Sequence, residues 1–163
     1  MIPTLLQATL DLLSEVEATA RPADAVTSAF FRARRDLDDR DRGVVLEQLY
    51  ALLRHRARLG WWLAQHAFDD TPRNRLLAWL ILGEDTPPDQ IKRLFDGAKF
   101  APTALADSEY AKLVKLRGSP LAHPDMPESV RLECPLWAVD PLRRRFGAAF
   151  GAEMAATLAP PPL

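Results

Sequence analysis

The chain has 163 residues, a net charge of −1 and a single cysteine, Cys134; 48% of it is hydrophobic and 26% charged. That is enough ordinary folding chain for one domain with a proper core, and it excludes disorder, an internal disulfide and a chain-wide electrostatic pull on nucleic acid. No apolar run approaches the roughly 20 residues of a membrane span. The start, "MIPTLLQATLDLLSEV", lacks the basic residues and cleavage site of a signal peptide, so no membrane partner and a cytoplasmic setting are expected.

The pattern is helical almost throughout. "TLLQATLDLLSEVEA" places Leu6, Leu10, Leu13 and Val16 on one face at 3.6-residue spacing. "RPADAVTSAFFRARR" carries Pro22 in a first-turn position and buries Val26, Phe30 and Phe31. "DLDDRD" breaks the pattern and supplies capping carboxylates for the next helix, a long one with Val45, Leu49, Leu52 and Leu53 as its stripe. "DDTPRNRLLAWLILG" reads as a Thr71 cap, Pro72 in the first turn, an apolar face that takes Trp79 into the core, and Gly83 as terminator. "TPPDQIKRLFDG" repeats that grammar over a shorter length.

From residue 98 proline and glycine punctuate the chain. One helix is expected from Asp107 or Ser108 to Gly118, and another from Asp140 through Pro141 to Gly147. The closing "LAPPPL" cannot continue a helix. No clean strand signal and no repeat is present. The fold class is therefore all-α: a helical bundle over residues 1–96 and a proline-punctuated helical extension over 97–163.

Several chemistries are missing. The seven glycines are scattered singly, so neither a phosphate loop nor a dinucleotide fingerprint is present. His55, His66 and His123 lie far apart with no partner at a metal-ligand spacing, and no metal is expected. Cys134 has no nearby base and reads as a structural or surface thiol rather than a nucleophile. No carboxylate pair stands out as an acid–base couple, so the chain by itself does not read as a complete enzyme.

What is present is arginine. Residues 21 to 58 hold nine arginines against six acids, and the acids sit mainly in the turn at 36–41. Arg32, Arg34 and Arg35 gather at one helix end, Arg40 and Arg42 start the next, and Arg54, Arg56 and Arg58 close it in "RHRAR". Helix dipoles favour cations there at about 0.3–1 kcal/mol each, which explains one or two per end more easily than six. Arg54 and Arg58, four apart, repel slightly. The near absence of lysine suits bidentate phosphate contact. A phosphate-facing patch and a solvated one both stand at this level, because antiparallel packing would put the two helix ends apart. Trp61 and Trp62 fit core packing with one ring partly exposed better than base stacking. Arg143, Arg144 and Arg145 are a second basic site, solvated or phosphate-bound.

The run "RPADAVTSAFFRARRDLDDRDRGVVLEQLYALLRHRARLGWWL" resembles the N-terminal domain of the RsmB (Sun/Fmu) family, bacterial cytosine-C5 methyltransferases of small-subunit ribosomal RNA. The family's acidic-basic turn matches Asp39, Arg40, Asp41 and Arg42, and its helix end matches Leu49-Tyr50-Ala51-Leu52-Leu53-Arg54-His55-Arg56, departing at Ala51 and His55. Pro135-Leu136-Trp137 looks like the family's bridging segment, while residues 83–105 match poorly.

The resemblance implies a NusB-like RNA-binding bundle, itself non-catalytic, that docks ribosomal RNA for a catalytic domain following Leu163. S-adenosylmethionine and the catalytic cysteines belong to that domain, so no cofactor is expected in this chain and Cys134 inherits no catalytic role. The implied RNA-binding residues are the eight arginines from Arg32 to Arg58 named above. Phe100, Leu136 and Trp137 are the implied contacts to the methyltransferase domain. The competing expectations are a protein-interaction module and a stand-alone antitermination-like factor.

Overall fold

Pro3 opens the first helix in the computed structural model, which describes residues 2–159. This helix, α1 (Pro3–Glu17), is the hub. Leu6, Leu12 and Leu13 are fully enclosed, and α2 (Ala23–Ala33), α3 (Asp39–Arg54) and α5 (Pro72–Leu82) all pack on it. Truncating any of those leucines to alanine would cost about 2–5 kcal/mol. Among the described residues there is no strand, so the fold is all-α as the periodicity predicts.

The caps follow the sequence closely. The Asp38 carboxylate accepts from the Asp41 amide at 2.8 Å and starts α3. Thr71 Oγ1 accepts from the Asn74 amide at 3.2 Å and starts α5, with Pro72 in its first turn. The remaining helices are α4 (Arg56–Gln65), α6 (Pro88–Leu94), α7 (Asp107–Leu116), α8 (Glu128–Arg131), α9 (Leu136–Phe146) and α10 (Phe150–Leu158).

Three features depart from expectation. First, "RHRAR" does not lie on one helix end. The backbone bends at His55 (φ −109°, ψ 24°), α3 stops at Arg54, and Arg56 begins α4, which carries both tryptophans. Second, Pro141 lies inside α9, whose start moves back to Leu136 behind Pro135; a proline there removes one backbone donor and the helix tolerates it. Gly147, at φ +53°, ends that helix as expected.

Third, the main core runs on past residue 96. Leu105, Leu113, Leu116 and Met126 join the cluster that α1 to α6 build. A separate small core follows, Cys134, Ala138, Phe150 and Met154, holding α9 against α10. Cys134 is buried there, as a structural thiol should be. Of the closing segment "LAPPPL", residues 160–163 lie outside the described residues.

A buried ion pair fastens the hub. Arg75 is only 3% exposed. Its guanidinium forks onto the Glu17 carboxylate, with Nη2 to Oε2 at 2.9 Å, and its Nε lies 2.7 Å from Asp70 Oδ1, a charge contact without hydrogen-bond alignment. The Arg75 hydrogen bond holds the Glu17 carboxyl below its ordinary value.

Candidate functional site

The arginines separate into two groups along α3. Arg42 and Arg54 are twelve residues apart on that helix, about 18 Å at 1.5 Å per residue. At the α2–α3 corner, Arg32, Arg35 and Arg42 line one open hollow of ≈490 Å³ together with Ser28 and Phe31. Arg40 is exposed in the first turn of α3, two residues before Arg42 and so on a different face of the helix. Arg32, Arg35 and Arg40 make no ion pair among the described residues. Arg42 is tethered by its Nε to the Leu37 carbonyl at 3.0 Å and stands over the Phe31 ring. Arg34 turns elsewhere: it grips Asp36 at 3.0 Å, approaches Asp11 at 3.7 Å and covers Phe30, and the Asp36 hydrogen bond raises its pKa.

The second group is largely engaged. Glu133 reaches back from 75 residues away, and its two carboxylate oxygens accept from the Ala57 and Arg58 amides, each at 2.8 Å. Those are unpaired first-turn donors of α4, so the carboxylate caps that helix where its dipole favours an anion. Glu133 holds a left-handed backbone, φ +51°, to do so. Burial pushes its carboxyl upward against the downward pull of the two amides and of Arg58. The Arg58 side chain, 14% exposed, donates to the Arg131 carbonyl from Nε at 3.0 Å and Nη2 at 2.5 Å. Arg56 lies 3.7 Å from Glu17. Arg56 nevertheless stays 57% exposed, and Arg54, half-buried, makes no ion pair among the described residues.

Arg54 borders a cleft of ≈580 Å³ between α3, the end of α5 and Leu158 at the end of α10. Trp79 packs against the main core as expected, half-buried, and its outer side forms part of the cleft wall. It stacks on His55 with centroids 5.2 Å apart and planes within 12°. Gly83 makes this position possible, because a Cβ there would overlap the six-membered ring of Trp79. Burial, with Arg58 and Arg54 close by, lowers the His55 pKa from 6.5 to about 4, so the ring is neutral at pH 7. Gln48, 6% exposed, donates Nε2 to the Glu84 carboxylate, and Trp79 Nε1 donates to the same oxygen at 3.3 Å. A carboxylate accepts only, which fixes the Gln48 amide with its oxygen turned away from Glu84. That oxygen and His55 Nδ1 are buried with no partner among the described residues. Gln48, Trp79 and Glu84 are absent from the sequence-based set. The available signal was Gln48 itself, a polar residue within the buried stripe Val45, Leu49, Leu52.

The other aromatics are spoken for. Trp62 is buried and its Nε1 donates to the Leu121 carbonyl at 3.3 Å; Trp61 is half-buried, edge-on to Trp62 and stacked on His123. One ring in and one partly out is the arrangement the sequence suggested. Arg143 pairs with Glu128, whereas Arg144 and Arg145 are exposed. Phe100 is 70% exposed at φ +66°, and Leu136 and Trp137 are each 81% exposed in the first turn of α9. Among the described residues no cluster of three or more His, Cys, Asp or Glu could hold a metal, and no helix is long and apolar enough to cross a membrane. Compared with known proteins, the chain matches no family model, no curated protein and no solved structure.

Proposed function

We propose that this chain is an RNA-binding helical module that grips phosphates at the α2–α3 corner. One observation carries the reading: Arg32, Arg35 and Arg42 converge on a single hollow, and Arg32 and Arg35 have no carboxylate partner among the described residues. Guanidinium forks left open on an exposed surface suit bidentate phosphate contact. The resemblance to the RsmB-type docking domain supports ribosomal RNA as the target. It also supports a role in positioning an S-adenosylmethionine-dependent cytosine-C5 methyltransferase domain that supplies the catalysis.

Four neutralised phosphates on single-stranded RNA give log Kobs against log salt a slope of only about −3, so binding by this module alone is weak and salt-sensitive. The test is titration of structured RNA at several salt concentrations with the protein and an Arg32→Glu/Arg35→Glu variant. The reading predicts a loss of at least tenfold and a shallower slope. An unchanged affinity and slope would remove the corner from RNA binding.

A second reading rests on Leu136 and Trp137. Two adjacent large apolar side chains this exposed suit a protein surface, such as a catalytic domain of the same polypeptide. Sedimentation of the chain with that domain, using Trp137→Ser as the weakened variant, tests it; no co-sedimentation of the unaltered chain sinks it.

A further inference from the structure

We propose that the hollow at the α2–α3 corner holds the terminal phosphate monoester of an RNA strand. The polymer rests on the RNA-binding reading above; the monoester chemistry is testable without it. Ser28, Phe31, Arg32 and Arg35 follow at three- and four-residue intervals along one face of α2 and its continuation, and Arg42 closes the hollow from α3. Arg32 and Arg35 are exposed and make neither a side-chain hydrogen bond nor an ion pair among the described residues.

Arg42 is set in advance. Its Nε donates to the carbonyl of Leu37, a residue buried in the main core, and its guanidinium stands over the Phe31 ring. Little ordering remains to be done when an anion arrives. A hydroxyl is on hand as well. Thr27 spends its own on the Ala23 carbonyl at 2.6 Å, whereas the exposed Ser28 hydroxyl has no partner among the described residues and lines the hollow.

Charge selects a monoester. Three guanidinium charges, less the one of the Asp39 carboxylate 3.6 Å from Arg42, leave +2 at the hollow. Asp36 and Asp38, from the same turn, are engaged by the Arg34 side chain and the Asp41 amide. An internal phosphodiester brings one charge and two unshared oxygens. A terminal monoester brings about 1.5 to 2 negative charges at pH 7 and three acceptor oxygens, one for each guanidinium. Helix dipoles do not account for the cluster. The end of α2 favours Arg32 and Arg35, but Arg42 stands in the first turn of α3, where a cation is disfavoured. Phe31, 9% exposed beneath Arg42, offers no open ring face to a base, so the site reads phosphate and ignores base identity.

The experiment measures binding of the full chain to one short oligouridylate carrying a 5′-phosphate, a 3′-phosphate, or hydroxyls at both ends. The proposal expects one phosphorylated strand, or both, to bind about tenfold tighter than the hydroxyl-ended strand. The preferred strand identifies which terminus is held. Replacing uracil by cytosine should leave that preference unchanged. Ser28→Ala puts a good helix former at an exposed position, so the fold persists, and it should cut the preference about threefold. Arg35→Gln should cut it at least as far.

Equal binding of all three strands, or a preference unaltered in either variant, would each overturn the end site. So would a phosphoserine peptide that displaces the phosphorylated strand at equal concentration, which would reassign the hollow to a phosphorylated protein. If structured RNA with hydroxyl ends binds with salt sensitivity while end phosphates make no difference, the RNA reading stands and the end site falls. If a phosphorylated strand binds and that structured RNA does not, the end site stands and docking on internal ribosomal RNA falls.

Discussion

The two ends of α3 carry nearly the same sequence and do different things. At its start, "FRARR" and "DRDR" bring five arginines to a corner where Arg32, Arg35 and Arg40 stay open to solvent. At its end, "RHRAR" is partly absorbed by the protein: Glu133 takes the backbone amides of Ala57 and Arg58 and the Arg131 carbonyl takes the Arg58 side chain, while Arg56, beside Glu17, stays 57% exposed. Arginine density does not distinguish the two. What separates them is how much of the cluster a distant acceptor reaches: at the closed end Glu133 and the Arg131 carbonyl fix Arg58 and the start of α4, whereas at the corner Asp11 approaches Arg34 alone.

Breaking the closed end should therefore cost stability. The largest effect is expected at Arg75, whose partner Glu17 also faces Arg56. Arg75→Ala strands a carboxylate that is 20% exposed in a packed interior, at a cost of about 3–5 kcal/mol, read by urea unfolding. A loss below about 1 kcal/mol would show that the pair is no fastener. Glu133→Ala comes next. It removes two charge-assisted hydrogen bonds at the start of α4 while leaving the unfavourable backbone at φ +51°, for an expected loss of about 2–3 kcal/mol. Glu133→Gln keeps the side chain's volume and one acceptor oxygen and should lose less; equal losses in the two variants would mean that neither volume nor a single acceptor contributes and that only the full carboxylate stabilises the helix start.

Acid should loosen the same end through His55. Its folded-state pKa of about 4 lies below the ordinary 6.5, so between those values the unfolded chain binds more protons than the folded one. Its contribution is full above pH 6.5 and is lost as the pH falls toward 4. His66, also lowered by burial, acts in the same direction, whereas Glu133, raised by burial, acts against both. His55→Phe keeps a ring against Trp79 and cannot titrate, so its stability curve should be flatter over that window. Parallel curves for the two proteins would mean that His55 is not the sensor.

Much of the fold was legible because local rules govern it. The stripe Leu6, Leu10, Leu13, the Asp38 and Thr71 caps and the Gly147 stop each depend on neighbours a few residues away. The helix break at His55 and the reach of the main core depend on distant partners. Nothing near His55 announces a break; Glu133 stabilises the new helix start from 75 residues away. Trp79 packs on the core as its face predicts, and the bare Cα of Gly83 leaves the room its ring needs over His55. The main core passes residue 96 because Leu113 and Leu116 cover helices that precede them by tens of residues. The arginines of the candidate interface were all visible in the sequence, but the division between engaged and open ones was not. Periodicity reports which face a residue occupies and is silent on which acceptor meets it.

The smallest stability effect is expected at the open corner, and that smallness separates the two ends most cleanly. Arg32 and Arg35 are exposed and make no ion pair among the described residues, so replacing both by glutamate removes no folded-state partner. Exposed substitutions of that kind ordinarily stay within about 0.5 kcal/mol each. The reversed charges also lie at the C-terminal end of α2, where the dipole disfavours anions by about 0.3–1 kcal/mol, which sets the upper side of the effect. Unfolding of Arg32→Glu/Arg35→Glu should therefore differ from the unaltered protein by no more than about 2 kcal/mol, with an unchanged denaturant slope. A larger loss would show that the corner is fastened internally like the junction at Arg58, and its arginines would then no longer be free for phosphate.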